Sequence, residues 1–452
     1  MYLSKWKNFI ITFLIFLAIY QTTGLWFENF STHSFFYLIK NKSENANIQK
    51  DTLYLTESIL INTGNNKFIR KYNNISNADY KKIFDEAIYL SIKNGDFSYI
   101  EHFDIKNVLN KRSIIYTYDF NIKGEEMSKI FNIKANHLSK IKQFDTIIIV
   151  PMIDEKYNIK TIFLSSKTLN AYELKVSKDI LSQNIFNIIN DFNSLEAKDF
   201  YYISSEESGI SLFSTNQFLP KARNETFNVN KIAVDNPLEQ DGGILLSESE
   251  KYVDVFFDSP ITKSSSFINN TYTYNDENVI VKYYPNGVLE YVKYKSNIGI
   301  GSEDSPYNIA LQFLAKDNNI KNEYYLQDYK IEENKVIFYF NYKINNFPII
   351  LSEDKKLQTG MDSMIEVTVE DNIVSKYRRI IYDFYVEDDY DIVEKSFIDA
   401  IDNFLVNLGK PNIYIDEMKL VYKFDNAENT MNIKWFIDAE DKIYFDTVTY
   451  GG

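Results

Sequence analysis

The longest uncharged stretch of the chain comes first. Residues 8–27 carry no charged side chain and lie between Lys7 and Glu28. An α-helix rises about 1.5 Å per residue, so a run of this length crosses the roughly 30 Å hydrocarbon layer once. Lysines precede the run and an acidic residue follows it, which orients the N-terminus towards the cytoplasm. We therefore expect a cytoplasmic tail at residues 1–7, one transmembrane helix at residues 8–27, and an extracytoplasmic body anchored in the cell membrane.

One face of this predicted helix carries a regular stripe. Phe13, Phe16, Tyr20 and Gly24 follow one another at intervals of three and four residues, which places them on the same side of a helix. A lone anchor needs no such stripe, because lipid accepts apolar residues all round. A stripe with a small residue and a tyrosine hydroxyl can seat a second helix. We interpret these four residues as partner-helix contacts. Chance spacing in a phenylalanine-rich run is the alternative.

A cleaved signal peptide is the alternative to a retained anchor. Signal peptidase requires small residues at an A-x-A-like site. Thr22 and Gly24 match that site poorly, and the bulky residues Leu25, Trp26 and Phe27 that follow suit a membrane interface. The chain contains no cysteine, so it cannot be a lipoprotein. The retained anchor is the interpretation that we favour.

Beyond the anchor, the hydrophobic pattern switches between helical and strand periods. Residues 28–199 mix both periods and are expected to form an N-terminal extracytoplasmic α+β domain. One amphipathic helix is predicted to open at a capping box in residues 76–79 and to end at Asn94 and Gly95, and another to begin after Ser177. Residues 200–300 read as strands separated by turn residues, which predicts a central β-rich domain with a meander.

The C-terminal part, residues 301–452, repeats one pattern. Ser305 and Pro306 have the residue types of a helix start, and strand-like segments follow. A second helix is predicted to open at residues 391–394 and to stop at Gly409, again followed by strands. The expected fold class is therefore α+β: one transmembrane helix, then two or three mixed domains with antiparallel meanders.

Composition and net charge narrow the classes of partner that the protein can bind. The chain has 452 residues, which exceeds one ordinary core, and its net charge is −14. An acidic body disfavours nucleic acid as a partner. Tyrosine and phenylalanine are abundant together with Asn, Ile and Lys, so nucleotide bias explains the aromatic content more simply than a carbohydrate-binding surface does.

The sequence offers little catalytic chemistry. Its three histidines lack zinc-site spacing, and no glycine-rich phosphate loop is present. An S-x-x-K pattern at Ser139 and Lys142 resembles a penicillin-recognising nucleophile, but the companion K-T-G is missing. Acidic clusters at residues 387–389 and 438–441 lack the glycine and terminal glutamate of a calcium loop. We therefore predict no catalytic residues, no cofactor and no metal site. A wall-acting hydrolase and a wall-fragment-binding sensor remain the alternatives.

Several strings, together with the single anchor, resemble the YycH family and, more loosely, its sister family YycI. The strings are QTTGLWF at 21–27, FFDSP at 256–260, YYPNGVLEY at 283–291, FYFNY at 338–342, IEVTV at 365–369 and LVY at 420–422. The resemblance is weakest in the first outer domain.

This resemblance implies a non-catalytic, membrane-anchored regulator of the cell-wall sensor histidine kinase WalK (YycG) of low-GC Gram-positive bacteria. It further implies that the anchor helix packs beside the membrane helices of the kinase. The outer domains would associate with a YycI-like partner protein. Among the residues, the stripe on the anchor is the part that transfers to this chain.

Overall fold

A computed structural model of the chain describes residues 55–450 apart from 65, 72–77, 131–136, 154–157, 195–199, 241–242, 245, 295–303, 346, 410–412, 426–428 and 441. The predicted transmembrane helix at residues 8–27 lies outside this part. Among the helices that the structure does describe, none combines the length and the apolar character required to span a bilayer.

The first described strands form a nine-stranded antiparallel sheet. Its strands run in the order β3-β7-β6-β5-β4-β1-β2-β8-β9. They are β1 (Ser58–Asn62), β2 (Phe68–Lys71), β3 (Asp96–Ile100), β4 (Ser113–Ile122), β5 (Phe144–Pro151), β6 (Ile159–Ser165), β7 (Asn170–Val176), β8 (Phe200–Ser204) and β9 (Phe218–Ala222).

The α-helices of the described residues are α1 (Ala78–Asn94), α2 (Ile105–Leu109), α3 (Gly124–Ile130), α4 (Asp179–Ser194), α5 (Ser205–Ser208), α6 (Leu246–Val253), α7 (Pro306–Leu314), α8 (Glu353–Thr359) and α9 (Phe397–Leu408). Helices α1 and α4 are the two longest. Helices α1 and α4 pack on one face of the nine-stranded sheet, and α2 contributes Val108 and Leu109 to the apolar cluster on the other. Both faces are covered, which explains why β1 is buried at every position.

A larger sheet of twelve strands follows. Its order is β13-β14-β15-β16-β21-β20-β18-β19-β23-β25-β26, with β17 paired to β18. These strands are β13 (Ser264–Ile268), β14 (Thr271–Asn275), β15 (Val279–Tyr283), β16 (Val288–Lys293), β17 (Glu323–Glu332), β18 (Lys335–Ile344), β19 (Phe347–Leu351), β20 (Ile365–Glu370), β21 (Ile373–Ile380), β23 (Glu417–Phe424), β25 (Ile433–Ala439) and β26 (Lys442–Thr447). All the pairings are antiparallel except that of β19 with β23.

Two small sheets complete the described strands. They contain β10 (Phe227–Asp235), β22 (Asp383–Val393) and β24 (Thr430–Met431) in one, and β11 (Glu239–Gln240) and β12 (Gly243–Ile244) in the other. The expected class, α+β with antiparallel sheets, is confirmed for this part of the chain. Strands β8 and β9 extend the first sheet past residue 199, and β13 to β16 belong to the same sheet as the C-terminal strands. The domain boundaries at residues 199 and 300 stay predictions.

Two helix starts that the sequence predicts from capping residues can be compared with the structure. The predicted start at Ser305 is confirmed, because its side chain accepts a hydrogen bond from the amide of Asn308 and Pro306 occupies the first turn. The predicted opening of the last helix at residues 391–394 is wrong. The chain there continues strand β22 as far as Val393, and pairing with β10 satisfies its backbone. The helix starts at Phe397 behind Ser396.

Ser396 and Asp399 form a reciprocal capping box at the start of α9. We predict that Ser396→Ala destabilises this region by about 1 kcal/mol, because an amide of the first helical turn loses its acceptor. The nearby indole of Trp435 is fully buried and donates to the carbonyl of Lys395, so its fluorescence during thermal unfolding reports on this helix. Ser396→Thr, which keeps the hydroxyl, is the matched control. Equal melting midpoints for the alanine variant and the unmodified protein would contradict the assignment.

Candidate functional site

Charged side chains lie inside apolar strands where the two large sheets meet. Lys419 occupies a buried position of β23, and its side chain is 6% exposed. Glu57 directly precedes β1 and is 9% exposed at its side chain. A buried charge is costly unless it is paired, so these positions require partners from elsewhere in the fold.

The ammonium group of Lys419 lies among three carboxylates. Its Nζ is 2.6 Å from Oε2 of Glu57, 2.5 Å from Oε1 of Glu417 and 3.5 Å from Oδ2 of Asp119. Asp119 belongs to β4 of the nine-stranded sheet and Glu57 directly precedes β1 of that sheet, whereas Glu417 and Lys419 belong to β23 of the twelve-stranded sheet. One ammonium group therefore ties the two sheets together. We call these four residues the Lys419 junction.

Two further cations secure Glu57. Arg70 Nη1 lies 3.4 Å from Oε1 of Glu57, and the same guanidinium lies over the ring of Tyr202 at 4.5 Å. Nζ of Lys343 donates to the backbone carbonyl of Glu57 at 3.0 Å. Next to them, the amide of Leu326 donates to the carbonyl of Leu55 at 2.9 Å. The junction is thus continuous with main-chain contacts between the sheets.

The environment moves the pKa values of these groups in different directions. Burial raises the pKa of Glu57, but the charges of Lys419 and Arg70 outweigh it, so the net pKa is lowered. Burial, with help from Glu417 and Glu57, raises the pKa of Asp119 to about 7 despite the attraction of Lys419. Burial lowers the pKa of Lys343 to about 8. Asp119 is the most solvent-exposed member of the junction, with 34% of its side chain accessible.

A polar cleft of about 340 Å³ opens beside the Lys419 junction. Strands β2, β4, β5 and β9 and the loops beside them form one wall, and the start of β23 with Asp438 of β25 forms the other. Hydrogen bonds cross between these walls: Ser214 Oγ donates to Asp416 Oδ1 at 2.8 Å, and Gln217 Nε2 donates to the Asp416 carbonyl at 3.0 Å. The charged groups of the lining are Glu57, Arg70, Asp119, Asp145, Lys167, Asp416, Glu417, Lys419 and Asp438.

The carboxylates of the junction have the spacing of a metal site. Glu57, Asp119 and Glu417 each offer an oxygen, and these oxygens lie within 4.8 Å of one another. The Lys419 ammonium, however, already lies between them at 2.5–3.5 Å. A divalent cation would have to displace a buried lysine whose acid partners among the described residues are these three carboxylates. The group works as an internal salt bridge, and the prediction that the chain holds no metal stays a prediction.

The Lys419 junction contains none of the residues that were singled out from the sequence. Phe13, Phe16, Tyr20 and Gly24 are outside the described residues, so their role as partner-helix contacts stays a prediction.

The S-x-x-K pair does not form one helical turn. Ser139 lies in a short 3₁₀ turn, Leu138–Lys140, and Ile141 after it is extended, which separates Lys142 from that turn. Both side chains are exposed. Of the acidic clusters, residues 387–389 belong to strand β22, and Asp438 belongs to β25. Neither segment forms a calcium-binding loop there.

Sequence reasoning missed the Lys419 junction. One signal was available: Glu57, Lys343 and Lys419 each interrupt an otherwise apolar run that reads as a strand. Charged residues are almost never fully buried without a partner, so these three positions could have been marked as paired. Their partners could not have been named, because Glu57 and Lys419 are 362 residues apart.

Comparison with solved structures finds a similar fold. The crystal structure of YycH from Bacillus subtilis superposes with a TM-score of 0.54 at 13% sequence identity, covering 89% of this chain and 97% of that one. A crystal structure of an uncharacterized protein from Eubacterium rectale gives a TM-score of 0.29 at 10% identity, covering 58% of this chain and 91% of that one, which is too distant to use. No protein-family model and no curated protein sequence matches the chain. The likeness shows a YycH-like fold.

Removing the ammonium of the junction is expected to destabilise the protein. Lys419→Met leaves Glu417 without its ammonium partner and leaves Glu57 with only the more distant Arg70, and breaking such a buried pair costs about 3–5 kcal/mol. Burial raises the pKa of Glu57, and the charge of Lys419 is the main influence that lowers it; loss of Lys419 therefore raises the pKa of Glu57, and the defect should grow from pH 5 to pH 8. The measurement is thermal unfolding of the full-length protein in detergent at both pH values. The double variant Lys419→Met/Glu57→Gln should recover part of the loss; a defect of equal size at both pH values would contradict this account.

Asp119 should make the folded protein less stable as the pH rises, whereas an acid whose pKa is lowered by its partners has the opposite effect. Its pKa is about 7 in the fold against an ordinary value of 3.8, so between these values the folded state binds a proton that the unfolded chain has released. Its contribution to stability therefore falls as the pH rises from about 4 to 7. Asp119→Asn removes this contribution. We expect its melting temperature, relative to the unmodified protein, to be higher at pH 8 than at pH 5. Parallel curves would refute the assignment.

Proposed function

We propose that this protein is a non-catalytic, membrane-anchored regulator of a WalK/YycG-like sensor histidine kinase. The observation that carries the proposal is the YycH-like fold, which extends over 89% of this chain and 97% of the Bacillus subtilis protein. Agreement over nearly the whole of both chains supports a shared architecture rather than one shared domain. The sequence resemblance to the YycH family supplies the kind of partner.

The anchor provides the contact with the kinase in this proposal. Residues 8–27 would cross the membrane once, with the N-terminus in the cytoplasm and the body outside the cell. Phe13, Phe16, Tyr20 and Gly24 would pack against a membrane helix of the kinase, since small and aromatic residues on one face allow close helix approach in lipid. A change at such a contact can alter the balance between kinase states only if the contact differs between them.

The extracytoplasmic body would associate with a YycI-like partner. The Lys419 junction supports this role, because it ties the two large sheets through a buried ion pair and gives the body a fixed shape for docking. The carboxylates at the centre of the junction are all within 3.5 Å of Lys419, which favours a structural use over acid–base chemistry.

A wall-fragment-binding sensor is the second candidate function. The polar cleft beside the junction favours it, since hydroxyl, amide and carboxylate groups converge there. Stabilisation of the full-length protein against thermal unfolding by a defined muropeptide would support this candidate. The absence of any shift at millimolar concentration would count against it.

Replacement of the stripe tests the regulator. Phe13→Leu, Phe16→Leu and Tyr20→Leu together keep the hydrophobic length but remove the aromatic face, so we expect normal membrane insertion, several-fold weaker co-purification with the kinase and altered expression of its target genes. Ile11→Leu, Ile15→Leu and Ala18→Leu lie on the opposite side of the helical wheel and form the matched control. Unchanged co-purification and target-gene expression in the stripe variant would exclude helix packing as the mechanism.

A further inference from the structure

The edge strands of the two large sheets differ in how they are protected. An exposed edge presents unpaired amides and carbonyls, and proteins usually guard it with charged residues or proline. Of the edge strands of these sheets, β3 begins with Asp96, β9 contains Pro220 and Lys221, β17 contains Asp328 and Lys330, and β26 contains Lys442 and Asp446. Strand β13, with the sequence SSSFI, has no charge, no proline and no bulge, and all five residues are exposed. The described structure thus leaves one edge of the twelve-stranded sheet without these guards.

The turn next to β13 fixes which backbone groups face outwards. Asn269 and Asn270 form a two-residue loop and have φ values of 52° and 58°, the signature of a type I′ hairpin turn. In such a hairpin the flanking residues Ile268 and Thr271 exchange both hydrogen bonds. The alternation then directs the N–H and C=O groups of Ser265 and Phe267 away from β14.

Apolar surface accompanies these outward-facing groups. Phe267 is 53% exposed although its ring lies 4.4 Å from that of Tyr272, directly opposite on β14. On the same face, Ser265 is opposite the fully buried Tyr274. The core-facing side of the sheet therefore continues onto the edge, where Phe267 is only half covered. One more strand would complete its cover.

We propose that β13 is a strand-addition site that takes an extended, neutral or basic segment of a partner protein. The segment would pair with the outward-facing groups of Ser265 and Phe267 and place an apolar side chain against the ring of Phe267. Main-chain hydrogen bonds would provide affinity, and the position beside Phe267 would provide selectivity. The site lies on the body and does not depend on the stripe of the anchor.

Charge and size distinguish a partner segment from a second copy of this chain. The net charge of −14 opposes close approach of two copies and favours a segment without acidic residues. A five-residue edge is roughly 17 Å long. Stable dimers bury about 1,200–2,000 Å² in total, more than such an edge offers by itself. A single extended segment fits this edge better than a folded copy does.

Capped nine-residue peptides of alternating threonine and valine test the site. One carries lysine at both ends, one glutamate at both ends, and one is the lysine peptide with two successive central amides methylated. Fluorescence anisotropy with the full-length protein in detergent should show binding of the lysine peptide, at least threefold weaker binding of the glutamate peptide, and at least tenfold weaker binding of the methylated peptide. Equal affinities for the methylated and unmethylated peptides, or no binding of either, would overturn the proposal.

Variants of the protein locate the peptide. Ser265→Pro removes an outward-facing N–H and should weaken binding at least fivefold, and Phe267→Ser should weaken it similarly. Ser266→Ala is the control, since its amide faces β14 and its side chain lies on the other face, so its affinity should be unchanged. The methylated peptide keeps the test valid if the proline variant fails to fold. Undiminished binding to both Ser265→Pro and Phe267→Ser would place the peptide elsewhere and overturn the proposal.

The absence of native cysteine permits a test for other occupants. A benzophenone attached to Ser265→Cys should crosslink to the lysine peptide, and excess unlabelled peptide should block the reaction. Crosslinks to residues 1–54 of the same chain, or to a second copy, that persist with excess peptide would overturn the proposal. The stripe variant of the anchor should bind the peptide normally, so failure of the kinase contact and failure of this site give different results.

Discussion

The Lys419 ammonium group lies where the two large sheets meet and pairs with carboxylates on both sides. It is held by Glu57 and Asp119 from the nine-stranded sheet and by Glu417 from its own strand. Removing these charges from water costs several kcal/mol per ion, which the mutual attraction must offset. Such a pair adds little net stability, but it allows one arrangement of the sheets and penalises others. The relative position of the sheets thus depends on this interaction.

The surrounding apolar core makes the constraint effective. One continuous cluster of buried side chains runs through both sheets and includes Ile59 and Ile61 of β1 and Phe338 and Phe340 of β18. Apolar contacts alone tolerate sliding and repacking, because dispersion and burial are not directional. The ion pairs and hydrogen bonds of the Lys419 junction are directional, so they restrict how the apolar core can repack. Arg70 pairs with the carboxylate of Glu57 and Lys343 donates to its backbone carbonyl, so both the side chain and the main chain of Glu57 are held.

A second buried ion pair shows the same principle within the twelve-stranded sheet. Arg379 donates to Asp317 at 2.6 Å, and the hydroxyl of Tyr377 donates to the same carboxylate at 2.8 Å. The side chains of Arg379 and Asp317 are each 2% exposed. The segment after helix α7 is thereby fixed to strand β21. Both ion pairs lie where an irregular segment is held against a sheet.

The sequence by itself determined the features that depend on residues close together in the chain. It predicts the helix that begins behind Ser305, the stop at Gly409 and the α+β class, because caps, turn residues and hydrophobic periods act over a few residues. Tertiary structure overrode it at residues 391–394, where pairing with β10 extended a strand that local signals had ended. Only tertiary structure could bring Glu57 to Lys419. Likewise, only tertiary structure leaves β13 as an edge strand that lacks the charges and prolines found on the other edge strands of the two large sheets, since both features depend on which strands become neighbours. Pairings such as Phe68 with Tyr202 and Phe227 with Val393 join residues far apart in the chain, and a local pattern does not encode them.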